Sequence, residues 1–427
     1  MTNHWFIEPR EPIVVREGRS AAALDEEAPR TLPLPSALAG LVRTCFVQDT
    51  LKVDPEALLR IRIADGPWFG RWNDLTFEAF VVAPHDAIGR KDANNANVVH
   101  LFRKRVIDVD KTSLLFSAEP QLSQLVWHDE RDANGAKLKD VGGIDGHRYW
   151  SLDRAVKWAI SDGDDAPSRW DAVEPLEPET RLHVSIDDTT LTAESGMLYG
   201  TPGLRFADGF GFALNVDHVP AHLTNLPLPR VVFLGGEGRV SLRKEFDKDV
   251  LPKFNEHRCK YEEAARKKPR GLRLQLLTPA WLSPEGLAGT RGWLPSWWEK
   301  GDHPLLPPGI RLHLVAVCAP RPTVISGWDM QWKGRGGPRR VRRLAPAGSI
   351  YYFELRDDNG QIITDPTKLV DVAERLWAQP IEMPTSDKRN EQWRKEHLAH
   401  PAQDGFGRIL PGFFWSSQHE PQQEVAI

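Results

Sequence analysis

Short apolar runs separated by glycine and proline dominate the chain, and only a few stretches carry a helical period. Ile13-Val14-Val15 reads as a strand. Pro33 and Pro35 lead to Ser36, a residue suited to capping a helix, and Leu38, Leu41, Val42 and Cys45 follow at helical spacing. Strand signals return at Ile61-Arg62-Ile63 and from Phe77 to Val82. From Pro84 to Gly146 the chain turns polar, with Asn94, Asn95, Asn97 and Asn134-Gly135, which predicts insertions and a hairpin. Ser151 to Ile160 places Leu152, Ala155, Val156, Ala159 and Ile160 on one side of a short helix. The acidic, proline-containing stretch from Ser161 to Glu179 is expected as a surface loop. Strands resume at Leu182 to Ile186 and from Phe210 to Val216. In the latter Phe210, Phe212, Leu214 and Val216 point one way, while Gly209, Gly211 and Ala213 leave the other face nearly bare.

The second half repeats the style. Arg230 to Leu234 and Val240 to Arg243 flank Gly235-Gly236-Glu237-Gly238 as a hairpin, and a basic helix is predicted from Asn255 to Lys268. Leu272 to Leu277, Ile310 to Cys318 and Ile350 to Leu355 read as strands. Thr367 to Ala378 is the clearest helix, with Leu369, Val370, Val372, Ala373 and Leu376 apolar. Pro220 to Pro229 reads as the connection between two domains, placing one at 1–225, with a polar insertion at 84–146, and the other at 226–427. Each half mixes strands with one or two helices, so the predicted class is α+β, in two modules rather than one parallel sheet.

Length agrees with that division, since 427 residues exceed one ordinary core. No apolar run approaches the roughly 18 residues that cross a bilayer, and the N-terminus lacks the pattern of a secretory signal. Cys45, Cys259 and Cys318 are odd in number and lack metal spacing, which points to a reducing, cytoplasmic compartment and buried free thiols. Net charge is −4, which does not advertise a nucleic-acid binder. Its distribution changes the picture. Asp162 to Asp188 holds nine acidic residues against Arg169 and Arg181, whereas Lys333, Arg335, Arg339, Arg340, Arg342 and Arg343 crowd a stretch without acids between Asp329 and Glu354. An ordinary solvated patchwork is the plain alternative to one face for an anion and another for a basic neighbour.

Three glycine-rich segments stand out: Gly235 to Gly238, Gly334-Arg335-Gly336-Gly337 with Arg339 and Arg340 behind, and Gly405-Phe406-Gly407-Arg408 followed by Gly412-Phe413-Phe414. Glycine lets backbone N–H groups turn toward an anion. None is followed by the Lys-Ser/Thr of nucleotide hydrolases, and none has the dinucleotide fingerprint in its setting. Each alone is ordinarily a turn. The third is the most specific, because arginine and aromatics suit a sugar–phosphate backbone with stacked bases. Trp328 and Trp332 flank the basic run, and Trp297-Trp298 and Trp328 are the best contact candidates among sixteen tryptophans. Metal chemistry finds little support. Asp162-Gly163-Asp164-Asp165 lies in a loop without a flanking hairpin, and Pro220 breaks the helix that His218 and His222 would need. Neither a cofactor nor a metal is expected.

Phe6-Ile7-Glu8-Pro9, Val15-Arg16-Glu17-Gly18-Arg19 and Leu34 to Arg43 together resemble the start of the RAMP superfamily of CRISPR proteins, and most closely the family of the third subunit of the type III-B (Cmr) complex. Gly196 to Phe206, Leu277-Thr278-Pro279-Ala280, Gly292 to Pro295, Ser326 to Asp329, Pro346 to Phe353 and Gly405 to Phe413 extend the resemblance in order along nearly the whole chain. The stretch 84–146 resembles it least. The resemblance implies two ferredoxin-like (RRM-like) domains and a subunit that caps the 5′-tag end of the guide CRISPR RNA. It also implies docking on the large polymerase/cyclase-like subunit and the neighbouring backbone RAMP subunit, with target RNA met indirectly. Carried over residue by residue, Arg16 and Arg19 lie by the first strand. Ser36, Gly40 and Arg43 lie on the first helix near the RNA, and the loop of Gly405, Gly407 and Arg408 packs behind the tag. Charge adds Trp328, Lys333, Arg335, Arg339 and Arg340 as RNA-binding candidates.

Some RAMP relatives cut repeat RNA without metal, using histidine or tyrosine against a 2′-hydroxyl. Here no histidine lies between His4 and His85 and no tyrosine precedes Tyr149. The expectation is therefore a non-catalytic RNA binder, with a metal-independent endoribonuclease served by a distant His147 or His183 as the alternative. A carbohydrate- or protein-binding module built on the tryptophans is the remaining class.

Overall fold

The first strand, β1 (His4–Pro9), buries both faces: Trp5 and Ile7 on one side, Phe6 on the other. A strand covered twice needs a layer on each side, and the rest of the chain supplies them. The computed structural model describes residues 4–14, 32–47, 54–73, 76–91, 99–103, 105–106, 125–126, 148–161, 175–246, 249–282, 294–298, 300–325, 328–329, 337–338, 342–383 and 401–415. After β1 come α1 (Pro35–Cys45), α2 (Pro55–Arg60), β2 (Arg62–Trp72), β3 (Phe77–Val82), the hairpin of β4 (Ala87–Lys91) and β5 (Val99–Arg103), and the pair β6 (Arg105–Val106) and β7 (Leu125–Val126). Next are β8 (Tyr149–Ser151), α3 (Leu152–Ile160), the long hairpin of β9 (Leu176–Ile186) and β10 (Ala193–Phe206), β11 (Phe210–Asp217), β12 (Val231–Leu234) and β13 (Arg239–Phe246). The remainder is α4 (Arg258–Arg266), β14 (Gly271–Leu276), β15 (Arg311–Cys318), β16 (Thr323–Ile325), β17 (Trp328–Asp329), β18 (Gly337–Pro338), β19 (Arg342–Leu344), β20 (Ile350–Arg356), α5 (Pro366–Leu376) and β21 (Ile409–Phe414).

Two antiparallel sheets carry the fold. The first runs β12-β13-β1-β11-β2-β3-β8 and the second β15-β20-β14-β21. The four central strands of the first, β13-β1-β11-β2, follow the 4-1-3-2 order of a ferredoxin-like unit, with α1 as the crossover between its first two strands. The second sheet has the same order, with α5 before its last strand. The α+β class and the two ferredoxin-like units expected from the sequence are thus present.

The division at 225 is not. β12 and β13 belong to the first sheet, and β13 pairs with β1 from His4↔Phe246 to Pro9↔Ser241. The chain therefore leaves the first unit after Phe246, and Pro220 to Pro229 joins two strands of one sheet. Local composition marks a loop there but cannot reveal which sheet the next strand will enter. Two shorter expectations also change. Ile13 and Val14 make only isolated bridges, to Leu204 and Gly236. Leu176 to Glu179, expected as loop, is strand, because β10 supplies ladder partners as far as Leu176↔Phe206. Asn134-Gly135 and residues 162–174 lie outside the described residues; the hairpin observed in the polar insertion is β4–β5.

The core has two main bodies. Trp5, Ile7, Ile63, Phe69, Phe212 and Leu214 meet Leu38, Leu41 and Val42 of α1 in one. The other joins the opposite face of the first sheet to α3, α4, α5 and the second sheet without interruption. The face of β11 that looked bare is filled by a neighbour: a Cβ on Gly211 would stand 2.9 Å from the Phe6 ring. Trp297, a contact candidate in the sequence, is buried here and donates its indole N–H to Ile381 O at 2.7 Å.

Candidate nucleic-acid interface

Helix α1 starts one residue before the predicted cap. Pro35 takes the first helical position, where its fixed φ fits and its missing N–H is not needed, so Leu34 becomes the N-cap and no side chain caps the helix. Ser36 is therefore exposed inside the first turn rather than capping it. The apolar side holds Leu38, Ala39, Leu41, Val42 and Cys45 in the core. Ser36, Gly40 and Thr44, four residues apart, share the outer side, and the Thr44 hydroxyl donates to Gly40 O at 2.8 Å. Open space surrounds the position a Cβ would take on Gly40. Burial pushes the Cys45 thiol up to about 11, despite Arg243 nearby, so it is the inert thiol expected.

Arg43 turns from that outer side toward the second unit. Its Nη2 donates to Asp404 Oδ1 at 2.6 Å and to Ile61 O at 3.0 Å. Asp404 immediately precedes the glycine-rich loop, so the pair ties α1 to that loop. The loop itself is pinned from several sides. The Thr278 hydroxyl donates to Gly405 O at 2.8 Å and accepts the Arg408 amide at 3.0 Å, and the Gly407 amide donates to Pro279 O at 2.9 Å. Two segments that carry the family resemblance, Leu277 to Ala280 and Gly405 to Phe413, are thus bonded to each other. Gly405, at φ +92°, is close-packed: a Cβ there would lie 2.5 Å from Pro67 Cδ.

Arg408 differs from its expected role at the RNA. It is buried, and its guanidinium donates to Ile63 O at 2.7 Å, Ala64 O at 2.9 Å, Gly66 O at 3.1 Å and Ala378 O at 3.2 Å. Burial lowers its pKa, with Asp65 and Asp217 opposing. Its donors are committed to the main chain of both units, which makes it a clamp between β2 and the end of α5. Gly405 and Gly407 are buried with it.

What the fold brings together is the neighbourhood of these residues. Leu34, Phe406, Trp281, Ile325 and Leu344 form one small apolar cluster. Through it the start of α1, the glycine-rich loop and the root of the basic arm meet. That root is the β16–β19 pair, with Thr323 opposite Leu344 and Ile325 opposite Arg342. Arg342 lies over the Trp281 ring at 3.9 Å, a cation–π contact that orients the root. Further out, Trp328 pairs with Pro338 in β17–β18. Lys333, Arg335, Arg339 and Arg340 lie outside the described residues, as do Arg16 and Arg19. Asp404, Thr278, Trp281 and Arg342 join the site only in the fold. Thr278 stands in a motif of the family resemblance, but nothing local marks Asp404 as the partner of an arginine 361 positions away. Among the described residues no group of His, Cys, Asp and Glu is arranged to hold a metal ion, and no helix is long and apolar enough to cross a membrane.

Compared with known families, residues 5–412 match the model of CRISPR-associated protein (Cas_Cmr3). The chain belongs to the Cas_Cmr3 family. The resemblance carried by the first helix and the glycine-rich loop therefore holds over nearly its full length. No curated protein sequence matches significantly. Among solved structures, a chain of the cryo-EM structure of the Type III-B Cmr-beta bound to cognate target RNA and AMPPnP is similar at 12% identity and TM-score 0.42, covering 82% of this chain and 86% of that one. A chain of the Csm3-Csm4 subcomplex of the type III-A CRISPR-Cas interference complex is similar at 9% identity and TM-score 0.29, covering 84% and 94%.

Proposed function

We propose that this Cas_Cmr3-family subunit is a non-catalytic holder of the guide CRISPR RNA. It caps the end bearing the 5′ tag and bridges the large polymerase/cyclase-like subunit to the neighbouring backbone RAMP subunits of a type III-B effector complex. Target RNA meets it only through the guide. The observation that carries this reading is the apolar cluster of Leu34, Phe406, Trp281, Ile325 and Leu344, which gathers three elements that each suit RNA handling on separate grounds. The outer side of α1 offers Ser36, Gly40 and Thr44, small groups over which a sugar–phosphate chain passes closely. The basic arm rooted beside it supplies Lys333, Arg335, Arg339 and Arg340 against phosphates and Trp328 against a base. Arg16 and Arg19 follow Val14, which is bridged to Gly236 in the first unit. Arg43, Gly405, Gly407 and Arg408 support the site from within by fixing helix and loop. α1 contains no histidine, tyrosine or carboxylate to move a proton, which favours holding over cutting.

Photocrosslinking in the assembled complex tests the reading. Crosslinks from Ser36 and from the arm are expected at the tag and not at the opposite end of the guide. Replacing Lys333, Arg335, Arg339 and Arg340 by Gln is expected to weaken guide retention and flatten its salt dependence, by about one unit of slope for each phosphate no longer neutralised. Crosslinks confined to the opposite end, or unchanged retention and slope, refute it. Specific cleavage of repeat RNA in chelator, abolished by one histidine substitution, would establish the endoribonuclease instead.

A further inference from the structure

β12 ends the seven-stranded sheet: among the described residues only β13 pairs with Val231 to Leu234, α1 covers their buried face, and Val14 bridges Gly236 just beyond them. Antiparallel geometry tells which groups its outer edge presents. The Arg243 amide donates to Arg230 O at 2.8 Å, making Arg230 and Arg243 a hydrogen-bonded pair. Alternation then makes Val232–Ser241 and Leu234–Arg239 hydrogen-bonded pairs too. Val231 and Phe233 take the other positions, so their N–H and C=O groups point away from β13. The same two residues have exposed side chains, 51% and 60%, where Val232 and Leu234 are 4% and 1% exposed. Opposite them on β13 stand Leu242 and Val240, half-buried, so the apolar surface extends over two strands. Soluble edges are ordinarily blunted by lysine, proline or a bulge, and Val231 to Leu234 has none of these.

We propose that the outer edge of β12 receives an extended strand from a neighbouring protein subunit of the complex, with apolar side chains at two alternate positions, as an eighth strand of the sheet. Unpaired main-chain donors and acceptors in register call for another backbone, and Val231 and Phe233 call for apolar side chains on the same face. Charge argues against RNA here. Arg239 is paired with Glu237 at 2.5 Å, Lys244 with Glu8 at 2.9 Å, and Arg243 with Glu245, so these three cations are each met by a carboxylate, and Arg230 alone falls short of the cluster of cations that phosphates require. Arg230, exposed at the strand entrance, suits an acidic residue beside the incoming apolar pair.

Hydrogen exchange on the full chain, alone and in the co-expressed complex, tests this independently of how the guide is held. The Val231 and Phe233 amides are expected to exchange freely in the isolated chain and to slow by about 100-fold in the complex, while Val232 and Leu234 are slow in both. V231P removes only an outward N–H and F233K places a charge in the new pairing. Each is expected to cut co-purification of the protein subunits about tenfold while leaving the unfolding temperature of the isolated chain nearly unchanged. Equal exchange of the outward amides alone and in the complex overturns the proposal. So does slow exchange in the isolated monomer, which would mean that the chain covers its own edge. Concentration-dependent self-association abolished in both variants would assign the edge to a second copy. Retained subunits without guide RNA would make it an RNA surface. Should a variant misfold, the wild-type exchange comparison still decides.

Discussion

Arg43 and Arg408 are both arginines at family-like positions, and their surroundings separate them. Arg408 serves four carbonyls in a buried seam, so Arg408→Met leaves those acceptors unpaired and is expected to destabilise the chain by about 3 kcal/mol or more in denaturant unfolding. Arg43 is paired mainly with one carboxylate. A double-mutant cycle of Arg43→Ala and Asp404→Ala is expected to give a coupling of about 1–2 kcal/mol; additivity would mean that the pair does not link helix to loop. His303 makes a pH-dependent contribution of its own. Its Nδ1 accepts the Leu305 amide at 3.2 Å and its Nε2 faces Pro380 O at 3.4 Å, an arrangement only the neutral ring satisfies. Burial holds its pKa down at about 4, against 6.5, with the carbonyl opposing. A depressed value means that stability is complete above pH 6.5 and declines as pH falls toward 4, by about 3 kcal/mol in total. His303→Gln is expected to flatten unfolding free energy against pH across that window, and an unchanged profile would refute the assignment. The sequence displayed each of these residues but not its partners: Asp404 meets Arg43, and Arg408 the carbonyls of Ile63, Ala64 and Gly66, only when the two units close, while Pro380 and Ala378 reach theirs only when the second unit folds.

The elements that read correctly from sequence carry their own signals. α5 has Asp365 accepting the Lys368 amide at 3.0 Å, Pro366 inside its first turn and an unbroken apolar stripe. β11 has strict alternation. Those that read poorly depend on a pairing partner, near in the chain for β9, which needs β10, and distant elsewhere. Contact between α3 and β21 is such a distant dependence, because the helix comes from the first unit and the strand from the second. A Cβ on Gly412 would overlap Ala159 O and stand 2.7 Å from Ala159 Cβ, so the backbones touch there. Gly412→Val is expected to push α3 off the sheet and cost about 2–3 kcal/mol, readable as a lower unfolding midpoint. Beside that contact, Asp86 accepts Arg273 Nε and Nη2 at 2.7 Å each, the Trp158 indole at 3.1 Å and the Tyr352 hydroxyl at 2.9 Å. Burial alone would raise this carboxyl, but Arg273 and the surrounding donors hold it well below the usual range. Arg273→Met should be worse than Arg273→Met with Asp86→Leu, because a lone buried charge is costlier than none.

At the scale of the whole molecule, the sequence conveyed two α+β units and their order but misplaced the border by about twenty residues, because a sheet's last strand is defined by what it pairs with. The same physics predicts how the molecule unfolds. One apolar body runs from Phe6 and Trp68 through α3 to Leu272, Phe353 and Phe413, so neither unit encloses a core of its own on that side. Cutting after Phe246 would expose Trp150, Val156 and Trp158 and strip Asp86 of its arginine. Each buried aromatic carries about 2–3 kcal/mol of transfer free energy, several of them exceed the usual stability of a domain, and exposure of so large an apolar face favours aggregation. The full chain is therefore expected to unfold in one calorimetric transition with van't Hoff and calorimetric enthalpies equal, and a fragment ending at Phe246 to lack a cooperative transition. Two resolved transitions, or a cooperatively folded fragment, would show that the seam is an interface between independent domains. The candidate RNA site lies on this seam, where α1, the glycine-rich loop and the arm root meet. Under the proposed function, if the units unfold together, loosening Arg408 in the interior is expected to weaken guide-RNA retention as well, with losses in stability and in retention rising together across seam variants.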